Sequence, residues 1–311
     1  MAGANARAVS ATWDAVGAAD WDALLVRAGR SALQQGWAYG AAVSRRGRTV
    51  HRAIWRADGR VVALAQIIER RFLGLATVAA ALRGPVWLDA DPADKAAVLR
   101  GLLARWPRRR YRFLLLQPDA EAVPELAALR LRRVMTGYST SWLDLRPEQD
   151  ALRRALDGKW RNQLRRAEEA KLAIDQAHGG KHLAWLLAKE GAQARARGYL
   201  GLDAALIQDI VAASGRDAVL SLTAKLGPEP LAGVLFLRHG AAATYQTGWS
   251  GEAGRERHAH NLLLWRGVLE LKRHGVAWLD LGGIETTHGE GIAHFKLGLG
   301  GGVTTLAGTF L

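Results

Sequence analysis

Apolar positions along the 311-residue chain follow two rhythms, strict alternation and helical spacing, and the rhythms succeed one another in the same order twice. In the first pass, WDALLVRAG reads as a helix that Asp20 can cap and Gly29 ends. A second helix runs from Leu33 to Val43. RTVHRAIW and RVVALAQIIERRF then alternate as strands around Asp58-Gly59, a two-residue hairpin signal. A strand near Leu75 to Ala81 and an extended PVWLD follow. DPADKAAVLRGLLARW is helical with Pro92 in its first turn, where the missing N–H costs nothing. YRFLLLQ is a buried strand by its short unbroken apolar run, AVPELAALRL is helical, and STSWLDL is a strand.

The pattern then restarts. ALRRALDGKWRNQLRRAEEAK is helical with a break at Gly158, and LAIDQA is a strand. HLAWLLAKEGAQARAR and DAALIQDIVAAS are helices. AVLSLTAK, LAGVLFLR and AATYQTGWS form a meander split by Gly-Pro and His-Gly turns. HNLLLWRGVLELKRHG is a strongly periodic helix closed by Gly275. VAWLDLGG is a strand, GIAHFKLGLGG a short helix and VTTLAGTFL a last strand. Helices, antiparallel strands, then helix, strand, helix and strand describe an α/β (α+β) layer fold with mixed sheets, used twice. No Ser/Gly/Pro-rich linker divides the halves. The expected boundary lies near Arg133 to Gly137, giving an N-terminal domain over 1–135 and a C-terminal domain over 136–311.

Composition narrows the class of partner. Lys and Arg number 43 against 29 Asp and Glu, a net charge of +14 that favours polyanions. Part of the arginine excess can reflect base composition of the coding sequence. Cysteine is absent, which excludes disulfides, thiolate metal sites and a cysteine nucleophile. The N-terminus lacks the basic start and apolar core of a signal peptide, and no apolar run is long enough to span a bilayer. The expectation is a cytoplasmic protein without stable membrane insertion.

Five segments of the second half, KWRNQLRRAEEAKLAI from Lys159, RARGY from Arg195, YQTGWS from Tyr245, HNLLLWRGVLELKRHGVAWLDLGGI from His260 and GIAHFKLGLGG from Gly291, follow one another in a familiar order and spacing. In the first half LQQGW, Leu33 to Trp37, has the form Leu-Gln-x-x-Trp. Together these motifs resemble the FemABX aminoacyltransferases over most of residues 31–311. The resemblance implies two tandem GNAT-like subdomains of the acyl-CoA N-acyltransferase fold. It also implies transfer of an aminoacyl group from aminoacyl-tRNA to an amine, commonly on a peptidoglycan precursor, with the active site in the C-terminal domain.

The resemblance places the Phe295-Lys296 pair at the active site. Lys296, between two glycine clusters, would stabilise the oxyanion of a tetrahedral intermediate or hold the tRNA end. Arg195 and Tyr199, four residues apart, would grip substrate phosphates, with Arg197 the competing assignment. Tyr245 would face the cleft as a second catalytic candidate, although a mid-strand aromatic is more often core. Trp37 belongs with the substrate-binding set. Lys159, Arg161 and Arg165 form a basic helix face that could line a tRNA path. A second cluster, Arg105, Arg108, Arg109, Arg110 and Arg112, reads as a solvated face. His258, His260, His288 and His294 lack partners at metal-ligand spacing, so no metal is expected. Asp280 could be a base but fits better as a turn-capping carboxylate.

Two departures matter. After Trp37 the chain reads AYGAAVS, without the lysine that bridge-forming members use for phosphate, which puts the nucleotide-sugar site in question. The helix opening near GEAGRERHAHNLLLW also lacks the R/Q-x-x-G-x-G/A loop that cradles CoA pyrophosphate. An aminoacyl ester is already activated, so alignment and charge stabilisation suffice and no cofactor is required. The competing readings are a CoA-dependent N-acyltransferase and a non-catalytic GNAT-like binding module.

Overall fold

The structure, a computed structural model, describes residues 8–198, 203–284 and 290–311. It comprises two compact units, Met1–Tyr138 with Thr305–Leu311, and Ser139–Thr304.

The first unit contains β1 (Val9–Trp13), α1 (Ala18–Ala28), α2 (Trp37–Arg45), β2 (Thr49–Ala57), β3 (Arg60–Phe72), β4 (Ala76–Leu82), β5 (Val86–Trp87), α3 (Pro92–Arg105), β6 (Arg112–Gln117), α4 (Pro124–Ala128) and β7 (Arg133–Met135). The second contains β8 (Ser139–Asp144), α5 (Gln149–Ala155), α6 (Gly158–Glu169), β9 (Ala173–Ala177), α7 (Gly180–Arg197), α8 (Ala204–Ala213), β10 (Val219–Leu226), β11 (Glu229–His239), β12 (Ala242–Ser250), α9 (Glu252–Glu256), α10 (Ala259–Arg273), β13 (Trp278–Ile284), α11 (Glu290–Leu297) and β14 (Gly302–Thr305). A last strand, β15 (Thr309–Phe310), returns to the first sheet.

The first sheet has the order β1-β2-β3-β4-β6-β15-β7. Its central strands are buried on both faces, so alternate residues enter different cores. Ala53, Trp55 and Ala57 of β2, with Ala63, Ala65 and Ile67 of β3, pack against Leu99, Leu102 and Trp106. Ile54 and Leu64 pack on the opposite side against Trp21 and Leu25 of α1. The Asp58-Gly59 turn has φ of 49° and 78°, the left-handed pair that closes a two-residue hairpin. Asp91 caps α3 by accepting the Asp94 N–H at 2.7 Å, with Pro92 in the first turn.

The second sheet has the order β14-β8-β13-β12-β11-β10-β9. Leu263, Leu264, Val268 and Leu271 of α10 join Trp160 and Leu164 of α6 over the strands. Asp157 caps α6, accepting from Lys159 N–H at 2.9 Å, so the expected break precedes Gly158, which opens the new helix.

The structure redraws several elements. Residues 33–43 are not one helix: a 3-10 turn at Leu33–Gln35 ends at Gly36, which starts α2. Gly17, not Asp20, occupies the cap position of α1. Strand β1 alternates over all five of its residues but was not read from the sequence, and β7 and helix α9 carry too few positions to show a period. VTTLAGTFL is two strands. Gly308, at φ 114°, redirects the chain so that Phe310 pairs with Leu116 and Arg133. Residues 305–311 therefore lie with the first unit, whose boundary falls at Tyr138.

Candidate active site

Within the second unit, β12 and β13 pair in parallel from Ala242↔Trp278 to Thr244↔Asp280 and pair no further. Each strand bulges where pairing stops. On β12 the register with β11 shifts so that Phe236 faces Tyr245 and Leu235 faces Thr247, leaving Gln246 extra. On β13 the register with β8 shifts between Asp280 and Gly283. Bulges of this kind re-aim side chains and end pairing. Asp280 stabilises the second one from a buried position. It accepts from Thr140 Oγ1 at 2.7 Å and from the Gly282 N–H at 2.8 Å, the capping role its sequence context favoured.

A cleft of about 370 Å³ opens at this splay. Lys296, Phe295, Tyr245, His260, Asn261 and Arg197 are among its lining residues. The Lys296 ammonium donates to the Gly283 carbonyl at 2.8 Å, at the point where pairing with β8 resumes after the bulge. Burial pulls the Lys296 pKa below the usual lysine value, and the Asp280 charge opposes that pull.

The Tyr245 hydroxyl lies 2.9 Å from His260 Nε2. Desolvation raises the Tyr245 pKa and lowers that of His260 from 6.5 to about 4, so both groups are neutral near pH 7. A neutral imidazole has one unprotonated nitrogen. With Nε2 in that role, Tyr245 donates to it and leaves its own lone pairs toward the cleft. Gly248 makes the pair possible, because a Cβ there would collide with both the hydroxyl and the imidazole. Tyr245 also packs against Phe236, ring centres 5.7 Å apart and planes tilted by 52°, so it is part of the core and of the cleft wall together.

The wall is aromatic. His260 and Phe295 meet edge to face at 5.2 Å, and Phe295 lies 6.0 Å from Trp160, whose Nε1 donates to the Phe295 carbonyl at 3.0 Å. Beyond Phe295 a second cavity, about 630 Å³, is lined by Lys159, Trp160, His294 and Gly298.

The expected site residues separate accordingly. Lys296, Tyr245, Phe295 and Arg197 share one cleft. Arg195, one turn from Gly191 on an exposed face of α7, does not line it. Tyr199 and His288 lie outside the described residues. Lys159 faces the neighbouring cavity. Arg161 and Arg165 are exposed on α6, Arg165 with Glu169 at 3.7 Å. Arg153 is held by Glu168 through two bonds of 2.9 and 2.6 Å. Trp37 lies in the first unit beneath the Arg52 guanidinium, 3.6 Å from its ring centre. Among the described residues no group of His, Asp and Glu is placed to hold a metal. No helix there is long and apolar enough to cross a membrane. His260 and Asn261, in the first turn of α10, were not singled out as a cleft pair. The signal was present in the two polar residues that interrupt an apolar helix start.

The fold has known relatives. Residues 153–297 match the model of the acetyltransferase (GNAT) domain family. A FemX crystal structure superposes with a TM-score of 0.83, at 16% identity and 96% coverage of both chains. The C-terminal domain of a protein assigned as a lysylphosphatidylglycerol synthetase, from Agrobacterium fabrum, gives 0.56 at 14% identity, covering 94% of this chain and 92% of that one. A tandem GNAT protein from the clavulanic acid biosynthesis pathway gives 0.54 at 14% identity, covering 97% and 98%. No curated protein matches the chain in sequence. The chain thus has the fold of FemX, with two GNAT-like units in tandem, and the FemABX resemblance read from its motifs holds at the level of that fold.

Proposed function

We propose that the chain is an N-aminoacyltransferase that moves an aminoacyl group from aminoacyl-tRNA to an amine, with a peptidoglycan precursor as the acceptor class. The observation that carries the proposal is the splay of β12 and β13, which gathers Lys296, Tyr245 and Arg197 at one cleft. The free amine attacks the ester carbonyl, and the carbonyl electron pair moves onto oxygen. The Lys296 ammonium stabilises that oxyanion. As the tetrahedral intermediate collapses, the ribose oxygen leaves with a proton from the Lys296 ammonium, and the proton shed by the attacking nitrogen returns to the Lys296 amine. An ammonium with a lowered pKa is the better donor for that step. Tyr245, its own proton engaged by His260, accepts an N–H from the incoming amine and orients its lone pair. Arg197 binds acceptor phosphate or carboxylate, and Lys159, Arg161 and Arg165 bind the tRNA backbone. Helix α10 opens from His258, at φ 50°, without a run of glycines to receive a pyrophosphate. This supports an ester donor over acetyl-CoA.

The match of residues 153–297 to an acetyltransferase domain keeps CoA as the second reading. Incubation with charged total tRNA and a pool of cell-wall precursors separates the two. A product heavier by one aminoacyl residue is expected. Turnover with acetyl-CoA and none with charged tRNA overturns the proposal, and no turnover with either donor favours a binding module. Binding of tRNA is expected to weaken steeply with salt, and Arg161→Gln with Arg165→Gln to flatten that slope.

A further inference from the structure

The hairpin joining β3 to β4 ends in Phe72-Leu73-Gly74-Leu75, and its apolar side chains stand in water. Leu73 is 95% exposed and Leu75 78%. Leu73 and Gly74 have φ of 49° and 70°, and the Leu75 N–H bonds the Phe72 carbonyl at 2.9 Å. Positive φ at both central positions suits Asn-Gly or Asp-Gly, as at Asp58-Gly59. A leucine in the left-handed region is strained, and this one gains no burial in return.

Arginines surround the tip. Arg70 lies over the Phe72 ring at 4.3 Å and Arg110 over the Tyr111 ring at 5.1 Å. Arg108, Arg109 and Arg110 are exposed in the loop before β6, and Tyr111 is half exposed beside them. That loop is tied to the hairpin, since the Tyr111 carbonyl accepts the Thr77 N–H at 2.8 Å. Directly behind the tip, Thr49, Thr77, Arg71, Arg105 and Arg112 line a cavity of about 320 Å³. Its acidic lining residue, Glu69, is already engaged by Trp106 Nε1 at 2.9 Å and by Arg71 at 3.3 Å.

We propose that this end of the first unit docks on an anionic phospholipid surface. Leu73, Leu75, Phe72 and Tyr111 enter the boundary between headgroups and acyl chains, and the surrounding arginines bind lipid phosphates. A small apolar insertion combined with a basic ring is the two-signal arrangement that peripheral attachment requires. A nucleic acid would satisfy the arginines but leave the leucines in water. A second copy of the same face would bring arginine against arginine. With no membrane-crossing helix among the described residues, attachment is peripheral and reversible.

Co-sedimentation of the full chain with vesicles tests the site. Binding is expected to phosphatidylglycerol-containing vesicles and not to pure phosphatidylcholine, and to fall with salt. Leu73→Asp with Leu75→Asp should cut vesicle affinity at least about tenfold. Arg109→Gln and Arg110→Gln should each cut it about fivefold. Leu73→Asn relieves the turn, so it should raise the melting temperature while weakening vesicle binding. That variant separates docking from misfolding. Equal binding to both vesicle types, or vesicle affinity unchanged in the Leu73 variants, overturns the proposal. So does a dimer that the hairpin substitutions convert to monomer in the absence of vesicle binding, which assigns the face to a second copy.

Discussion

Each unit brings two strands into parallel pairing across a helical crossover, β4-α3-β6 in the first and β12-α10-β13 in the second. In the first unit the pair is zipped from Thr77↔Arg112 to Leu82↔Gln117, and the Gly84 N–H extends it to the Gln117 carbonyl at 3.0 Å. The buried Gln35 side chain closes the neighbourhood. It donates to the Leu82 carbonyl at 2.7 Å and the Gln66 carbonyl at 3.2 Å, and accepts the Gln66 N–H at 2.8 Å. In the second unit the pair parts after Thr244↔Asp280, and farther along β13 the Gly283 carbonyl takes the Lys296 ammonium. Backbone groups find partners in both units, a neighbouring strand or the buried Gln35 in the first and, at the exposed Gly283, the Lys296 side chain in the second. Where strand or glutamine supplies them the fold is closed, and where bulges withhold them a cleft forms that side chains and substrate can use.

The strongest test of that contrast is Lys296→Met. Loss of one oxyanion donor should lower turnover about 100- to 1,000-fold with the fold intact. Lys296→Arg should restore only part, because a planar guanidinium does not place a compact charge at the same point. Full activity in steady-state assays of Lys296→Met would remove the cleft from the chemistry.

The pH dependence of stability follows from His260. Its pKa is about 4 in the fold against 6.5 unfolded, so the unfolded chain binds the proton more readily. The contribution is fully present above pH 6.5 and is lost as pH falls toward 4, up to about 3 kcal/mol. His258, also lowered, by burial first and by Arg166 second, adds a term of the same sign. Denaturant titrations of wild type and His260→Gln between pH 7 and 4 should show a shallower decline in the variant. Parallel curves would mean that the imidazole is not desolvated.

Gly84→Ala and Gly248→Ala compare the closed and the open unit directly. An added Cβ meets the Gln35 side chain at Gly84, and the Tyr245 hydroxyl and His260 ring at Gly248. Each should cost roughly 1–3 kcal/mol by overpacking. Only Gly248→Ala should also lower turnover measured well below its melting point. Equal losses of activity in both would break the distinction.

The smallest effect separates two arginines on one helix. Arg197 lines the cleft and Arg195 does not. Arg197→Gln should therefore raise the acceptor KM about tenfold, as expected for one charge-assisted contact, and Arg195→Gln should leave it unchanged. The reverse result would move the phosphate contact to Arg195.

Much of this architecture was legible because its signals are local. Alternation in RVVALAQIIERRF, the Asp58-Gly59 turn and the periodic HNLLLWRGVLELKRHG each depend on neighbours a few residues away, and β3, its hairpin and α10 formed where expected. The short elements failed for the same reason. β7 and β15 hold too few residues to show a period, and Thr309 and Phe310 join a sheet whose other strands lie far back in the chain. LQQGW drew attention through its tryptophan, yet the buried tie in the fold is Gln35, whose partners Gln66 and Leu82 no spacing rule connects to it.

The sequence by itself determined two successive α/β units, a basic chain without thiol chemistry, and the set of residues from which a cleft could be made. Periodicity, turn preference and charge are written residue by residue, so they survive reading without coordinates. Only the tertiary structure decided that Tyr245 meets His260, that Lys296 reaches Gly283, and that Arg197 rather than Arg195 enters the cleft. The first two involve residues beside the two bulges at which a parallel pairing between strands linked through α10 ends. A bulge is fixed by the balance of hydrogen bonds across several strands at once, and no single stretch of the chain carries that balance.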